Sequence, residues 1–510
     1  MVSTADPGTS DRSQTDDARA PRQRREPSAV SPAVASPAAA GFADPEDYDF
    51  AILHLSDTQY LAEGAAQGAD PARRERYRAA LESIGRWMAE NARERKIVYV
   101  AHTGDVIQNW CWWWNRRATA QREFEAASAL FTRLEAVGVP WGVLPGNHDN
   151  RWGSDDQADG AAPELTLYNE SFGPARSREA ASRWAPWAGD PAAGAPAAAA
   201  RYGGPWRPQD NSCHLDLLEI GETRLVVVHL GYGVEDEHIA WANEALREHA
   251  DRDAILCTHH YLDWGTRPDG SGALLGGPGS FGPDDGVRIH REVVVPSPNV
   301  VLVLSGHTSG TGWRVDRTGT GRPVVAMLAD YQAHQVGDGP AAPVGEAQTD
   351  DGPSVAAQAG AGTEEENADG ERRAGFLRLL QFRVADGRMR VSTYSPHLDS
   401  FDPDAHAPQE QLERRREAAD AAEPAPAGGW ADPHQLELPI ALRGAAAPGA
   451  VPTAAPSTDP PPPPPVVAGD GTLSPSEDAH GVVRPVRWAP VLIGAGVAAA
   501  GALLRGLRRR

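Results

Sequence analysis

The sequence contains few cysteines, and their positions favour neither a disulfide framework nor a thiolate metal site. The three cysteines, Cys111, Cys213 and Cys257, are odd in number and lie far apart along the chain. Disulfide frameworks normally use an even number of cysteines, and thiolate metal sites use closely spaced pairs. We therefore expect neither kind of site in this protein.

Lysine is also scarce, and acidic residues outnumber basic ones, 70 to 48. The formal net charge is −22, and Lys96 is the only lysine in the chain. A protein that binds duplex nucleic acid needs a basic surface to neutralise the phosphates. We therefore predict no binding to nucleic-acid duplexes.

Long apolar runs are absent until the last segment of the chain. Residues 1–46 mix Asp, Arg, Ser, Pro and Ala without periodicity, which predicts a disordered N-terminal tail without a visible signal peptide. Residues 488–504 carry no charge and precede a cluster of arginines, which predicts a transmembrane anchor. A hydrophobic tail helix that does not span a membrane is the alternative.

The arginine cluster also bears on location. A basic flank favours the inner side of a membrane, which would place the folded region outside the cell on the Pro/Ala-rich linker of residues 401–485. The missing signal peptide favours instead a tail anchor that faces the cytoplasm. We prefer an extracytoplasmic domain at the cell membrane.

Between the two ends, short apolar runs alternate with helical segments, which is typical of an α/β fold. Phe50 to Leu55 and Ile97 to Thr103 have the composition of buried strands. Arg73 to Arg93 has helical composition, and Arg122 to Val137 has an apolar helical stripe that Gly138 ends. This alternation predicts parallel strand pairing with right-handed crossovers.

Polar side chains that can bind metal follow five of the predicted strands. The carboxyl ends of neighbouring parallel strands lie together, so we expect these side chains to converge. Carboxylates, amide oxygens and imidazoles without thiols predict a site for hard or borderline divalent cations. The residues are Asp57 and Gln59 after Phe50 to Leu55, Asp105 after Ile97 to Thr103, Asn147 to Asp149 after Val139 to Leu144, His259 after Ala254 to Thr258, and His307 after Val300 to Ser305.

The turn after Val139 to Leu144 carries three different polar groups in succession. Asn147, His148 and Asp149 suit a metal ligand, a proton donor and a group that orients the donor. A turn whose polar side chains only satisfy its own backbone is the alternative interpretation. The residues on the other four segments favour the first interpretation.

The five segments form an ordered series that resembles the calcineurin-like metallophosphoesterase superfamily. The resemblance covers about residues 48–400 and extends to a bacterial branch whose first motif is Asp-x-Gln, through Trp241-Ala242-Asn243, Met327 to Gln332 and Thr393 to Pro396. It implies a four-layer α/β/β/α sandwich of two mixed β-sheets flanked by helices. The motifs that carry it are Asp57-x-Gln59, Gly104-Asp105-x-x-x-Asn109, Gly146-Asn147-His148-Asp149, Thr258-His259 and Gly306-His307.

The resemblance also implies a two-metal site. Asp105 would bridge the ions, and the first metal would also bind Asp57 and Gln59. The second metal would also bind Asn147, His259 and His307. In such sites the ions lie roughly 3.5–4 Å apart, and a metal-bound hydroxide attacks the phosphoryl group in line.

The resemblance also implies chemical roles for two further residues. His148 would protonate the leaving oxygen, and Asp149 would fix the orientation of that imidazole. Asn109, Arg151 and Ser309 are candidates for contact with the substrate. A structural role for Asn109 is equally compatible with the sequence. A solvent-exposed position without substrate contact is equally compatible for Arg151.

Two departures from the usual family pattern affect the first metal. The first motif has Gln59 where histidine is more common, and the last motif reads Gly306-His307-Thr308-Ser309 where Gly-His-x-His is more common. The first site is therefore rich in oxygen and would select Mn, Fe, Mg or Ca, with Ser309 as a further possible ligand. The second site, which contains histidine, would bind Mn, Fe or Zn more firmly.

We therefore predict a metallophosphoesterase domain over residues 47–400, with a specificity insertion at 150–210 and a disordered loop at 335–373. Its function would be hydrolysis of a small phosphomonoester or phosphodiester, with His148 as the acid. The alternative is a membrane-tethered protein that binds metal or phosphate on the same scaffold, with catalysis weakened by the missing imidazoles.

Overall fold

The computed structural model describes residues 36–68, 70–111, 115–150, 167–184, 197–277, 285–337, 370–421 and 429–443. Arg151 and the predicted anchor at 488–504 lie outside these ranges, as do most residues of the predicted tail and of the 335–373 loop. The helices are α1 (Gln59–Gln67), α2 (Pro71–Asn91), α3 (Arg117–Val137), α4 (Leu167–Phe172), α5 (Pro174–Ala181), α6 (Asp236–Glu248), α7 (Asp285–Ile289) and α8 (Gln409–Ala421). The strands are β1 (Ser36–Pro37), β2 (Phe50–Leu55), β3 (Ile97–His102), β4 (Trp141–Val143), β5 (Ala198–Arg207), β6 (Asp210–Ile220), β7 (Thr223–Leu230), β8 (Asp253–Thr258), β9 (Val300–Ser305), β10 (Gly310–Arg317), β11 (Pro323–Asp330), β12 (Leu377–Arg383), β13 (Arg388–Tyr394) and β14 (Gln435–Pro439).

The strands form two sheets of seven. The first has the order β1-β14-β13-β12-β2-β3-β4, and the second has the order β10-β11-β9-β8-β7-β6-β5. Strands β2, β3 and β4 are parallel, as are β7, β8, β9 and β11, while the remaining pairs are antiparallel. The predicted architecture of two mixed sheets with helices is confirmed.

The alternation of side chains along each strand determines what each sheet packs against. On β2, Leu53 and Leu55 pack against helices α1 to α3, whereas Phe50 and Ile52 face the second sheet. On β7, Val226 and Val228 lie on the opposite face of the second sheet, in the core that includes α6. Because side chains on a strand point alternately to its two faces, strands buried on both faces are continuously apolar.

The predicted helices and strands around the motifs are confirmed with small shifts at their ends. The helix predicted from Arg122 begins earlier, at Arg117, and ends where predicted, because Gly138 adopts a left-handed φ of 73° and caps it. Glycine tolerates this conformation without strain, which makes it a common helix terminator.

Both predicted limits of the folded domain are corrected by the structure. Within the predicted tail, Ser36–Pro37 pairs with β14, and Phe42 packs against Trp87 with ring centroids 5.4 Å apart. Within the predicted linker, β14 pairs with β13 and its residues Leu436 and Leu438 are fully buried. The domain therefore extends beyond residue 400, since these segments add backbone hydrogen bonds and apolar side chains to the first sheet.

The predicted insertion at 150–210 contributes to the domain in its described part. It contains α4, α5 and β5, and Tyr168 and Phe172 are fully buried in the core beneath α3. The Tyr168 hydroxyl donates a hydrogen bond to the carbonyl of Val143 at 2.6 Å. Its role in specificity stays a prediction.

Among the described helices, none is long and apolar enough to cross a membrane.

Candidate metal centre

Three of the predicted metal ligands occupy a strained backbone conformation. Asp57, Asp105 and His307 each come shortly after a strand, and their φ angles are 54°, 53° and 72°. Residues with a Cβ atom rarely adopt these values, and such strain accumulates at functional sites. The sharp turns therefore mark where each strand presents a side chain to the site.

Two motif glycines allow the backbone to approach these side chains closely. A Cβ atom on Gly146 would lie 2.1 Å from Oδ1 of Asp105, and one on Gly306 would lie 2.0 Å from Oδ2 of Asp57. Neither contact is physically possible, so any larger residue would displace a carboxylate. The glycines in the Gly-Asn-His-Asp and Gly-His motifs are thus required by packing at the site.

The three predicted ligands of the second metal converge. Oδ1 of Asn147 lies 3.0 Å from Nε2 of His259 and 2.9 Å from Nδ1 of His307, and these two nitrogens are 3.2 Å apart. Nδ1 of His259 lies 2.8 Å from the carbonyl of Thr103, to which it can donate, and this contact directs Nε2 into the site. These donors from two different sheets can hold one cation.

The predicted ligands of the first metal lie beside them. Donor atoms of Asp57, Asp105 and His259 all lie within 4.8 Å of one another, and all three residues are buried. Nε2 of Gln59 donates a hydrogen bond to Oδ2 of Asp105 at 3.1 Å, which places the amide at the same cluster. The backbone N–H of His307 donates to Oδ1 of Asp57 at 3.1 Å.

The charges at this cluster fit a divalent cation. Burial raises the pKa of Asp57 well above its usual value, and the nearby Asp330 carboxylate raises it further. Burial lowers the pKa of His307 well below its usual range, and His260 adds to the effect, so this imidazole is neutral and able to bind metal. Oε1 of Gln59 is buried and has no hydrogen-bond partner among the described residues. Burial lowers the pKa of His259, but the charge of Asp105 raises it to about 9, so without metal this imidazole carries the positive charge that pairs with the carboxylate. Carboxylate and amide oxygens are the ligands that hard divalent ions prefer.

The imidazole of His148 lies at the edge of the cluster. Its Nδ1 lies 2.9 Å from the carbonyl of Gln108, and its backbone N–H donates to Oδ1 of Asp105 at 2.9 Å. Burial lowers the pKa of His148, but the contact of Nδ1 with the sulfur of Cys111 and the charge of Asp105 raise it well above the usual value.

A family model described as calcineurin-like phosphoesterase matches residues 50–309. The chain belongs to the calcineurin-like phosphoesterase family. It is 29% identical over 372 residues to the uncharacterized protein YvnB of Bacillus subtilis (strain 168), an alignment that covers 71% of this chain. The chain spans only 21% of the length of that relative.

Three solved structures are distantly similar. GAP50, the anchor in the inner membrane complex of Plasmodium, is 8% identical with a TM-score of 0.33, and the match covers 74% of this chain and 98% of GAP50. The protein TT1561 of Thermus thermophilus is 14% identical with a TM-score of 0.30, covering 68% of this chain and 99% of TT1561. The 5'-nucleotidase from Candida albicans SC5314 is 12% identical with a TM-score of 0.34, covering 76% of this chain and 59% of that enzyme. These likenesses are too distant to bear on function.

The sequence predicts that Asp149 orients the imidazole of His148. The structure does not show this contact, and the predicted role is wrong. The Asp149 carboxylate accepts hydrogen bonds from the backbone N–H groups of Val106, Ile107 and Gly146 at 2.8 to 3.0 Å. The Gln108 carbonyl, and not Asp149, contacts the imidazole of His148. Asp149 therefore connects the turn after β3 to the turn after β4.

Two of the three candidates for substrate contact lie within the described residues. Nδ2 of Asn109 donates to Glu63 at 3.1 Å and to Glu123 at 2.7 Å, which is a structural role within the turn after β3. Oγ of Ser309 accepts a hydrogen bond from Gln411 at 2.9 Å. Arg151 lies outside the described residues.

Two site residues were missing from the predicted set. Asp330 is the last residue of β11 and is fully buried, and Gln332 follows it by two positions. Burial raises the pKa of Asp330 to about 7. Their position at the carboxyl end of a strand is similar to the signal that identified Asp57 and Asp105, and the sequence shows it in the segment Met327 to Gln332.

A second group of possible metal ligands lies deeper between the sheets. His214, Asp216 and His229 are buried and mutually close. The Tyr99 hydroxyl donates to Oδ2 of Asp216 at 2.5 Å and lies 2.9 Å from Nε2 of His229. This group is therefore a hydrogen-bonded network that joins β3 of the first sheet to β6 and β7 of the second.

Proposed function

We propose that this protein is a divalent-metal-dependent phosphoesterase that hydrolyses a small phosphomonoester or phosphodiester. The observation that supports it most is the convergence of Asp57, Asp105, Asn147, His259 and His307 beside the imidazole of His148. A site that only binds metal has no need of an imidazole at its edge that a backbone carbonyl holds in place. This arrangement favours hydrolysis over binding alone.

Two divalent cations would be held by two sets of residues that share Asp105. Asp57 and Gln59 would hold one ion, and Asn147, His259 and His307 would hold the other. Bound cations would neutralise the phosphoryl oxygens and lower the pKa of water at the site. We infer Mn, Fe, Mg or Ca at the oxygen-rich position and Mn, Fe or Zn at the position that contains histidine.

His148 would deliver the proton to the leaving oxygen. The contact of its Nδ1 with the Gln108 carbonyl fixes the ring. Within the described residues, Nε2 makes no hydrogen bond and is free to face the substrate. The charge of Asp105 favours the protonated ring in the resting enzyme, which is the state that a general acid needs.

A narrow cavity next to Asp57 is the candidate position for the substrate. Tyr60, Gln332, Arg372 and Phe376 are among the residues that line it. The guanidinium of Arg372 lies over the ring of Tyr60, with Cζ 4.6 Å from the ring centroid, and makes no ion pair within the described residues. In a protein with a net charge of −22, this cation is suited to bind an anionic oxygen of the substrate.

An assay with an aryl phosphate monoester and an aryl phosphate diester in Mn²⁺ tests the proposal. We expect the wild type to hydrolyse at least one of them, and we expect Asp105→Ala and His148→Ala to lose most of the rate. Equal residual rates in the three proteins would support the alternative, a weakened metal- or phosphate-binding protein on the same scaffold.

We also propose that the domain lies outside the cell at the membrane, on the basis of the apolar segment 488–504 and its arginine flank. Protease treatment of intact cells tests this location. An exposed domain would be degraded, whereas a domain on the cytoplasmic face would survive.

A further inference from the structure

We propose that Asp330 and Gln332 are positioning residues that turn the amide oxygen of Gln59 toward the first metal. This inference rests on the proposed two-metal site and explains how that site functions without the usual imidazoles. Neither residue needs to touch the ion, because both act through the orientation of one side-chain amide.

The contacts form a chain from β11 to the metal cluster. The Asp330 carboxylate accepts hydrogen bonds from the backbone N–H and from Nε2 of Gln332, each at 2.8 Å. Oε1 of Gln332 accepts a hydrogen bond from Nε2 of Gln59. Nε2 of Gln59 also donates to Oδ2 of Asp105 at 3.1 Å. Each amide in this chain therefore has its nitrogen directed at an acceptor.

The chain of contacts leaves the amide oxygen of Gln59 available to a cation. Both hydrogen bonds of Gln59 use Nε2, and its Oε1 is buried without a partner among the described residues. A buried carbonyl oxygen that lacks a donor is unfavourable unless something else binds it. A cation at the first position would supply that interaction.

A side-chain amide that binds metal through its oxygen needs neighbours that fix its orientation, more than an imidazole ligand does. The oxygen and nitrogen of an amide differ in charge and are nearly equal in size, so a rotated Gln59 would present its N–H₂ group to the cation. Rotation is prevented because Oε1 of Gln59 would then face the oxygens of Gln332 and Asp105. Gln332 cannot rotate in turn, because its own oxygen would meet the Asp330 carboxylate.

The position of Asp330 in the sheet supports this assignment. Strand β11 is parallel to β9, with Leu328 opposite Ser305, so Asp330 lies near the turn that carries His307. The residue is fully buried, and no Lys or Arg forms an ion pair with it among the described residues. Its carboxylate is thus held inside the site, where its two oxygens bind Gln332.

The test measures Mn²⁺ binding to the full chain by equilibrium dialysis with metal analysis, so that activity is not the readout. We expect the wild type to bind two ions, one more tightly than the other. Gln332→Ala and Asp330→Asn should each weaken the looser ion about tenfold or more and leave the tighter ion unchanged. Gln335→Ala is the matched control, because Gln335 lies on the same segment and its backbone N–H and carbonyl form hydrogen bonds with His406, which is not one of the proposed ligands.

A double variant distinguishes positioning from direct contact. If Gln332 acts through Gln59, then Gln59→Ala with Gln332→Ala should bind the looser ion as weakly as Gln59→Ala alone, because the effects of residues in one chain of contacts are not additive. A further loss of tenfold in the double variant would overturn the proposal and would indicate that Gln332 or Asp330 contacts the ion.

Other outcomes separate this inference from the proposed function. If Gln332→Ala and Asp330→Asn bind both ions as tightly as the wild type, the positioning role is overturned and the two-metal site stays intact. Unchanged binding of both ions by Asp105→Ala would overturn the two-metal site itself, and the positioning role with it. Thermal unfolding in the absence of metal checks that each variant is folded.

Discussion

Nδ1 of His148 lies 2.9 Å from the carbonyl oxygen of Gln108. A neutral backbone group, and not a carboxylate, therefore orients the proposed acid of this site. The contact fixes the ring without transferring negative charge to it. Nε2 is then the atom from which a proton can reach the substrate.

Replacing His148 by alanine should lower kcat and leave metal binding unchanged, because the imidazole is not one of the proposed ligands. We expect a loss of about 10²- to 10⁴-fold, the range typical of a general acid. Steady-state assays should show a larger loss for an alkyl phosphate than for a nitrophenyl phosphate, whose leaving group needs little protonation. Equal losses on the two substrates would argue against the role as acid.

Replacing Asp149 by asparagine should destabilise the fold, since the carboxylate accepts three backbone N–H groups. Asparagine has one acceptor oxygen, so at least one buried amide loses its partner, at a cost of about 1–3 kcal/mol. Thermal unfolding should show a Tm several °C lower than that of the wild type. His148→Ala is the control and should keep the wild-type Tm. An unchanged Tm with reduced kcat would instead indicate that Asp149 acts directly in catalysis.

Replacing Arg372 by alanine should raise KM about tenfold or more with little change in kcat, because the guanidinium is expected to bind a substrate oxygen that does not react. Inorganic phosphate should inhibit this variant more weakly than the wild type. Arg373→Ala is the matched control, since Arg373 is paired with Glu371 at 2.6 Å. A similar rise in KM for both variants would point to general disruption of the segment.

Glu123 should make stability depend on pH. Burial raises its pKa to about 7 from the usual 4.5, and the charge of Glu63 adds to the effect. A carboxyl whose pKa is raised by folding binds more protons in the folded state, so its contribution is present below about pH 4.5 and is lost as the pH rises through 7. Thermal unfolding should be measured at pH 5 and at pH 8. As the pH rises between these values, the Tm of the wild type should fall by about 2 °C or more relative to the Tm of Glu123→Gln. A difference in Tm between the two proteins that is the same at both pH values would contradict the raised pKa of Glu123.

Much of the local structure could be predicted from the sequence. The strands Phe50–Leu55 and Val300–Ser305 lie where continuous apolar runs end in polar turns, and Gly138 ends α3 as expected. These features depend on the neighbouring residues alone, through periodicity and backbone freedom. The five motifs were visible for the same reason, since each lies directly after a strand.

The contribution of residues after 400 could not be predicted. Strand β14 pairs with β13, so that Leu436 lies opposite Val391. The strand is five residues long and follows a segment rich in alanine, proline and glutamate. Its stability comes from backbone hydrogen bonds to a distant strand, and such long-range pairing has no local signal.

The sequence by itself determined the set of polar side chains and their position at the ends of buried strands. Only the tertiary structure decided that Asp57, Asp105 and Asn147 follow strands of one sheet and His259 and His307 follow strands of the other. It also decided that Asp149 binds backbone amides and that Gln332 contacts Gln59 across 273 positions. The physical reason is that strand order, the packing of two sheets and the direction of a buried amide depend on contacts between residues far apart in the chain.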